Sequence, residues 1–306
     1  MIDLLQRTLD GLLDGSAYAL VGLGLTLTFG TLRRLNLAYG AGAMLAAYLG
    51  AWLYQQYALP AFAVAVAVIA AAALIGIYVE WLCFAGEHAR PRPAQRAGTA
   101  APGDDTREVV TLVATFAIWM QLEQLAVNLL PRHLIPFPSL ATDAQWAIGA
   151  LTLRPDKLML AVLVVGLTLG IARWLGNSRE GLAWRAAADQ GTAAELAGIA
   201  VAWVRRRAFV AACLLSGLAA FAVLSLEGQV TPMFGMWVLV KGLVAAMLGG
   251  LGSIGGVLVG GWVLGLTEAH AQNLFGALGR EFATWALLLA VLIRRGGLTH
   301  RLGRAA

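Results

Sequence analysis

Long runs of apolar residues, separated by short polar stretches, dominate the pattern of this 306-residue chain. A helix needs about 20 consecutive apolar residues to cross the hydrocarbon core of a bilayer. Runs near that length predict membrane segments at residues 11–31, 38–58, 61–84, 109–130, 156–176, 208–229, 236–250, 254–270 and 281–295. The pattern therefore predicts an all-α fold, a polytopic transmembrane helical bundle of eight to nine segments in one domain over residues 1–306.

The seventh and eighth segments are short, and only the sequence LGS separates them. They predict either a tight hairpin of two spans or a unit that contains a re-entrant or broken helix. Nine of the 29 residues between Lys241 and Ala269 are glycine. Small residues let helices approach closely in a membrane. We therefore predict helix packing for Gly249, Gly250, Gly252, Gly256, Gly260, Gly261 and Gly265.

Composition and charge support a membrane protein. Apolar residues make up 59% of the chain and charged residues 13%, against about 25% charged residues in soluble domains. The arginines flank apolar segments and form no aromatic-interleaved patch, which argues against nucleic-acid binding. Sixteen of the 22 Lys and Arg residues fall in regions that are cytoplasmic if the N-terminus is outside. The positive-inside rule thus predicts an external N-terminus and a cytoplasmic C-terminus.

Two polar segments on the predicted cytoplasmic side differ in character. Residues 85–108 are rich in Pro, Gly, Ala and charge, which predicts a mobile linker. The loop at 177–207 predicts an amphipathic helix at about 181–197 that Gly198 ends. One interpretation places this helix on the membrane surface, held by Leu182, Trp184 and Leu196. The other makes it a coupling helix that docks into a cytoplasmic motor.

Three polar residues are candidates for the lining of a path. Lys241 and Glu268 lie in apolar segments, where an ionisable residue is a functional hypothesis by default. Alternatively, both side chains extend to the outer interface. Asn36 is a candidate either for the path or for the cap of the second helix. Cys83 and Cys213 fall in apolar segments and are predicted to be small buried hydrophobes rather than a disulfide or metal pair. No metal site and no catalytic residue are expected in this chain.

Three stretches carry a resemblance, and they come in family order: GTLRRLNLAYGAGAMLAAYLGAWL, RAAADQGTAAELAGI and KGLVAAMLGGLGSIGGVLVGGWVLGLTEA. Together they resemble the branched-chain amino-acid ABC transporter permeases of the LivH type, over nearly the whole chain apart from the linker. The second stretch is similar to the loop that these permeases present to their ATPase subunits. The resemblance implies an ATPase-coupling role for Arg185, Ala186, Ala187, Asp189, Gly191, Leu196 and Gly198.

The chain departs from the family pattern near the path that the resemblance implies. Where the family has Phe-Ala-His-Gly-Glu, this sequence reads Leu-Ala-Tyr-Gly-Ala at residues 37–41. An imidazole and a carboxylate are therefore missing, and Tyr39 becomes a path candidate at the position of the imidazole. Arg185 stands where the wider importer pattern has glutamate.

The resemblance implies a permease subunit of an ABC importer in the bacterial inner membrane, which forms the path for branched-chain or related hydrophobic amino acids. The implied partners are ATPase subunits, a second permease subunit in a heterodimer, a periplasmic substrate-binding protein and membrane lipid. The sequence contains no G-x-x-x-x-G-K-[ST] phosphate loop, so ATP is expected on the partner subunits and no enzymatic activity in this chain. The alternatives are a urea or short-chain amide permease of the same superfamily and an ion-coupled secondary transporter.

Overall fold

The computed structural model describes residues 2–32, 36–83, 104–129, 135–140, 146–148 and 151–302. Within these ranges the helices are α1 (Ile2–Leu32), α2 (Ala38–Tyr57), α3 (Ala61–Cys83), α4 (Asp104–Leu129), α5 (Pro155–Asn177), α6 (Arg179–Asp189), α7 (Gly191–Leu196), α8 (Val201–Glu227), α9 (Phe234–Gly249) and α10 (Ile254–Leu302). The strands are β1 (Ile135–Pro136), β2 (Trp146–Ile148), β3 (Leu151–Leu153) and β4 (Gln229–Val230). The predicted linker at 85–108 lies outside the described residues up to residue 103, and its remainder begins α4.

Within the ranges given above, six helices are long and apolar enough to cross a membrane, judged by length and composition: α1, α3, α4, α5, α8 and α10. Helix α9 is apolar but has only 16 residues, and α2 is a 20-residue helix that is buried over most of its length. The chain is therefore an all-α polytopic membrane protein, as predicted. All nine predicted segments fall on helices, but the number that cross the bilayer stays a prediction.

Two helices begin well before the predicted apolar segments. Helix α1 begins at Ile2 rather than at residue 11, and α8 begins at Val201 rather than at residue 208. The end of the predicted loop at 177–207 is therefore the first part of α8. Hydropathy locates only the apolar part of a helix, whereas the backbone hydrogen bonds that define the helix continue through polar turns.

The single helix predicted at 181–197 is wrong, because the structure has two helices there. Helix α6 ends at Asp189, α7 begins at Gly191, and Gln190 between them has a φ of −141° and a ψ of 86°. Ser178 caps α6, since its Oγ accepts a hydrogen bond from the Gly181 amide at 2.8 Å. A break of one residue leaves the apolar spacing on both sides nearly unchanged, so the spacing does not reveal it.

The chain divides into two compact units, each discontinuous in sequence. Unit 1 comprises the described residues of 1–26, 142–171 and 240–306, and unit 2 those of 27–141 and 172–239. Helices α1, α5 and α9 contribute residues to both units. No single point in the sequence separates the units, and the assignment of one domain to residues 1–306 stays a prediction.

Glycines bring α1 and α10 into close contact in unit 1. A Cβ atom on Gly15 would lie 2.6 Å from the carbonyl oxygen of Gly261, and one on Gly11 would lie 2.9 Å from that of Gly265. From one contact to the next, the residue number rises along α1 as it falls along α10, so the two helices are antiparallel. In a bilayer each helix keeps its own backbone hydrogen bonds, and the close approach of small residues adds van der Waals contact.

A second glycine contact joins α9 to the first part of α10. Gly256 and Gly260 pack against the backbone of α9, with Gly256 facing Gly249. Gly250 and Gly252 lie instead in the turn between the helices, with φ values of 94° and 93°, a conformation that residues with a Cβ rarely adopt. The predicted packing role is therefore wrong for these two glycines, which reverse the chain. The turn makes α9 and the start of α10 a tight hairpin.

Polar contacts connect the start of α5 and the β2–β3 hairpin to α1 within unit 1. The Gln6 amide donates to the Thr152 carbonyl at 2.7 Å and accepts from the Thr152 amide at 3.0 Å. Lys157 donates to the Asp14 carboxylate at 2.6 Å. These contacts hold the N-terminal half of α1, which carries Arg7, Asp10 and Asp14 of the cleft described below.

Helix α2 lies in the core of unit 2, where it contacts α3, α4 and α8. Helix α3 buries about one residue per turn, at Val64, Val68, Ala72 and Gly76, and it exposes large apolar side chains such as Phe62 on its other faces. This one-sided burial is typical of a helix between a protein core and lipid. Strands β1 and β4 pair antiparallel at the end of α8.

Candidate functional site

Lys241 on α9 and Glu268 on α10 form an ion pair inside unit 1. Their side chains are only 2% and 3% exposed. The alternative that both side chains reach the outer interface is therefore wrong, because protein atoms enclose them. The hairpin between α9 and α10 brings the two residues together, since it lets positions 27 residues apart face each other.

Three more residues, Tyr18, Arg280 and Thr284, complete the group that we call the Glu268 cluster. Lys241 Nζ and Thr284 Oγ1 both donate to Glu268 Oε1. The Tyr18 hydroxyl donates to Glu268 Oε2 at 2.6 Å, and Arg280 Nε donates to the same oxygen at 3.1 Å. Arg280 Nη2 also donates to the Tyr18 oxygen at 2.6 Å. Each oxygen of the Glu268 carboxylate therefore accepts two hydrogen bonds.

A break in α10 at Gly276 brings Arg280 and Thr284 to Glu268. These residues follow Glu268 by 12 and 16 positions, which would place them about 18 and 24 Å away along a straight helix. Gly276 has a φ of 73° and a ψ of −160°, which are not helical values. Glycine adopts such a φ without steric cost because it has no Cβ. The chain therefore changes direction between residues 254–275 and 277–302.

The charges of the Glu268 cluster do not cancel. Lys241 and Arg280 bring two positive charges to one carboxylate, and Glu281, whose carboxylate lies 3.8 Å from Lys241, is mostly exposed. Burial of an ion pair is tolerated when its charges are paired and hydrogen-bonded, as they are for Lys241 and Glu268. Arg280 is different, because its side chain remains 35% exposed. The cluster thus presents a cation on its open side.

An open cleft of about 300 Å³ adjoins that side of the Glu268 cluster. Residues of α1 and α10 line it: Arg7, Asp10, Asp14, Tyr18, Gly265, Glu268, Ala269, Gln272, Asn273 and Arg280. The α1 residues recur every three or four positions, which places them on one face of that helix. Tyr18, Glu268 and Arg280 belong to both the cleft and the cluster. Polar groups therefore continue from the buried carboxylate to the open surface.

The other two path candidates, Asn36 and Tyr39, lie in unit 2, where both are buried and line one small pocket. Leu37 precedes α2 and makes no side-chain cap. Within the described residues, the Asn36 side-chain oxygen has no hydrogen-bond partner. The prediction that Asn36 caps the second helix is therefore wrong. The Tyr39 hydroxyl is hydrogen-bonded to Ser216 of α8.

Helices α6 and α7 pack against the rest of unit 2 along one side. Trp184 of α6 packs edge-to-face against Trp174, with ring centroids 5.1 Å apart. Glu180 forms an ion pair with Arg207 of α8 at 3.1 Å. Leu182 and Leu196 are exposed, and Leu196 is 91% exposed. The two short helices therefore have one anchored side and one free side with apolar residues.

The seven predicted coupling residues differ in exposure. Arg185, Asp189, Leu196 and Gly198 are exposed, and Ala186 and Gly191 are half-buried. Ala187 is buried among the residues that attach α6. Within the described part of the chain, no group of three or more His, Cys, Asp or Glu residues is arranged to hold a metal ion.

The comparison with known families concerns nearly the whole chain. A family model described as "Branched-chain amino acid transport system / permease component" matches residues 7–293. The chain belongs to this family. The resemblance carried by the three sequence stretches is thereby confirmed. The matched region of the permease includes the Glu268 cluster and helices α6 and α7.

Individual relatives support the same assignment. The permease is 25% identical over 302 residues to the high-affinity branched-chain amino acid transport system permease protein LivH of Escherichia coli K12, covering 94% of this chain and 92% of the relative. It is 26% identical to the corresponding protein BraD of Pseudomonas aeruginosa, covering 95% and 94%. A probable LivH of Methanocaldococcus jannaschii is 24% identical, covering 90% and 83%.

Three residues of the Glu268 cluster are absent from the sequence-based predictions. Arg280 is one of the six Lys and Arg residues that the charge pattern leaves outside the predicted cytoplasmic regions. Nothing in the local sequence distinguishes Tyr18 or Thr284 from other polar residues in apolar helices. The sequence did contain one indication of further partners. A carboxylate in an apolar segment accepts more hydrogen bonds than a single lysine donates. That indication predicts further donors, but it does not say which helices of the permease supply them.

Proposed function

We propose that this chain is the inner-membrane permease subunit of an ABC importer for branched-chain or related hydrophobic amino acids. The family match over residues 7–293 carries the proposal. The printed names of the bacterial relatives, which are high-affinity branched-chain amino acid permeases, support this substrate class. We propose no catalytic step in this chain, so the energy for transport would come from ATP bound by separate subunits.

The Glu268 cluster would give unit 1 a fixed internal structure during transport. Its hydrogen bonds join α1, α9 and both halves of α10 at one carboxylate. Because Lys241 and Glu268 are buried, a rearrangement that separated them would leave an uncompensated buried charge, which is costly. We propose that the helices around Lys241 and Glu268 move together and border the translocation path.

Helices α6 and α7 would be the site of contact with the ATPase subunits. Their attached side uses Trp184 and Glu180, while Leu182, Arg185 and Leu196 remain exposed. Burial of an exposed apolar residue such as Leu196 by a partner protein stabilises the complex. ATP would shift the permease between states only if the ATPase contacts the two states differently.

The positive-inside rule supports an external N-terminus and a cytoplasmic C-terminus. In that orientation α6 and α7 face the cytoplasm, where the ATPases would bind. A periplasmic substrate-binding protein would then deliver substrate to the opposite side. We propose a second permease subunit, in a heterodimer, to complete the path, and membrane lipid around both.

One experiment tests this function directly. The tagged chain is purified from its native host in mild detergent, its co-purifying proteins are identified by mass spectrometry, and the complex is assayed in liposomes for uptake of radiolabelled L-leucine. We expect P-loop ATPases, a second permease and ATP-dependent leucine uptake in the presence of the binding protein. Uptake of urea in place of leucine would support the short-chain amide alternative. Uptake driven by an ion gradient without ATPases would reject the ABC importer.

A further inference from the structure

The cleft beside the Glu268 cluster is formed by one polar face from each of two helices. On α10, positions 265, 268, 269, 272 and 273 follow a spacing of three and four, so they share one face. The glycine contacts between Gly11 and Gly265 and between Gly15 and Gly261 hold this face against α1. The cleft lies next to these glycine contacts, where larger side chains of α1 and α10 line the space between the helices.

Some charges of the cleft are neutralised locally. Lys157 pairs with Asp14, and Lys241 pairs with Glu268. Three charges lack such compensation. Within the described residues, Arg7 has no ion pair, and Asp10 accepts hydrogen bonds only from the neutral amide of Gln6.

Arg280 supplies the third of these charges. It shares Glu268 with Lys241 and uses Nε and Nη2 for its contacts inside the cluster. Its Nη1 has no hydrogen-bond partner within the part of the chain that the structure describes. The cleft therefore offers two guanidinium groups with unused donors and one carboxylate with unused acceptors.

We propose that this cleft is a weak binding site for the zwitterionic α-amino-acid group of the transported substrate. The guanidinium group of Arg7 binds the carboxylate, because planar guanidinium donors match carboxylate geometry, and Arg280 adds positive charge to the same cleft. The Asp10 carboxylate binds the ammonium group. The assignment rests on the proposed function, since it names a contact that an amino-acid importer makes with its substrate.

The described lining of the cleft lacks an enclosed apolar pocket that could fit one amino-acid side chain. Gly265 and Ala269 are small, the Tyr18 ring is the one large apolar group among the described lining residues, and no aliphatic side chain as large as valine or leucine is among them. A pocket discriminates between apolar side chains through apolar contact around each methylene. The cleft therefore recognises the group that all α-amino acids share and accepts different side chains. Its openness to solvent weakens the ionic contacts, which suits a site that must release its substrate.

The test measures binding of radiolabelled L-leucine to the purified membrane complex of permeases and ATPases, without the substrate-binding protein. We expect Arg7→Gln and Asp10→Asn each to weaken binding about tenfold, as for loss of one charge-assisted contact. Arg7→Lys retains the charge but not the fork of donors, so it should fall between Arg7→Gln and the wild type. Asp3→Asn is the matched control, because Asp3 is exposed on the same helix and does not line the cleft.

Competition experiments examine which groups of the ligand are recognised. L-valine and L-alanine should compete with leucine to within about threefold, because the cleft lacks a pocket for the side chain. Isocaproate lacks the ammonium group and isoamylamine lacks the carboxylate. Each should compete at least about tenfold less well than leucine.

The possible results distinguish failure of the cleft as a binding site from failure of the proposed function. Complete absence of ATP-dependent leucine uptake by the full transporter would overturn the function itself. Normal uptake together with undetectable leucine binding to the membrane complex would overturn only the cleft site. Loss of uptake in Arg7→Gln with unchanged leucine binding would also overturn it, and would indicate instead that the cleft contacts the substrate-binding protein.

Discussion

Burial of the Glu268 carboxylate costs free energy, and the groups around it offset that cost. Lys241 and Arg280 provide the positive charge, while Tyr18 and Thr284 donate the remaining hydrogen bonds. Removal of one partner from a buried ion pair leaves an uncompensated charge, whereas replacement of both partners by apolar residues leaves none. Single and double substitutions at this pair should therefore differ in their effect on stability.

We expect Glu268→Leu to lower the free energy of unfolding by about 3 kcal/mol, because it leaves the buried Lys241 ammonium without its buried carboxylate. The double variant Lys241→Met with Glu268→Leu should lose less than Glu268→Leu alone, because it buries no unpaired ammonium group and Arg280 is partly exposed. Denaturant titration of the purified permease complex measures both values. Glu281→Gln is the control, since this carboxylate is also near Lys241 but 59% exposed, and its loss should cost less than about 1 kcal/mol. A double variant less stable than Glu268→Leu would show that Lys241 does not depend on Glu268 for its charge compensation.

At the scale of helices, the glycine contact between α1 and α10 leaves no room for a side chain. The Cβ of an alanine at position 15 would come within 2.6 Å of the Gly261 carbonyl oxygen, which belongs to the backbone. The helices would have to separate, and the van der Waals contact that joins them in the membrane would weaken. A glycine elsewhere in unit 1 provides the comparison.

Gly15→Ala should destabilise the protein by about 1 to 3 kcal/mol through overpacking. Gly166→Ala in α5 is the matched control, because no atom outside the nearby backbone of α5 itself lies within 4 Å of the added Cβ. It should be neutral or stabilise α5 by up to about 1 kcal/mol, since alanine is the better helix former. The melting temperatures of the tagged variants in detergent test this difference. Equal melting temperatures for Gly15→Ala and Gly166→Ala would show that the packing of α1 against α10 does not depend on the glycine contact.

The coupling candidates on α6 and α7 fall into two groups, those that attach the helices to the rest of unit 2 and those that remain exposed. Ala187 faces the interior, so a bulky charged residue there would disrupt the attachment of α6 itself. Leu196 has no such constraint, because its side chain is almost completely exposed. Leu196 is therefore the better position at which to test contact with an ATPase.

Leu196→Glu should lower ATP-dependent uptake by at least about tenfold, because it places a charge where an apolar residue meets the partner. The amount of permease in the membrane should not change, as measured by immunoblot. Leu196→Met is the control, since it retains an apolar side chain of similar volume and should transport normally. Co-purification of the ATPases with Leu196→Glu at the wild-type level, together with normal uptake, would reject α6 and α7 as the coupling site.

At the scale of the whole molecule, the proposed orientation places the start of α1 and the helices α6 and α7 on opposite sides of the membrane. Single cysteines at exposed positions test it, in a background where Cys83 and Cys213 are replaced by alanine. An impermeant maleimide added to intact spheroplasts should label Asp3→Cys, and it should label Leu196→Cys only after lysis. Labelling of Leu196→Cys in intact spheroplasts would reverse the assigned orientation.

The sequence by itself determined the class of the protein and the positions of its helices. Apolar runs locate the membrane segments because each helix must satisfy its own backbone in the bilayer, and that requirement is local. The three motif stretches, read in order, also identified the family. Local patterns were less successful at boundaries and breaks, as at Val201, Gln190 and Gly276, where one or a few residues decide the course of the backbone.

Only the tertiary structure decided which residues share a site. Glu268 meets Tyr18 across 250 positions, Lys241 across 27 and Arg280 across 12. The first contact depends on the glycine packing of α1 against α10, the second on the turn after α9, and the third on the break at Gly276. Hydropathy records the environment that each residue needs, but the choice of partner depends on how distant helices pack, which no local pattern contains.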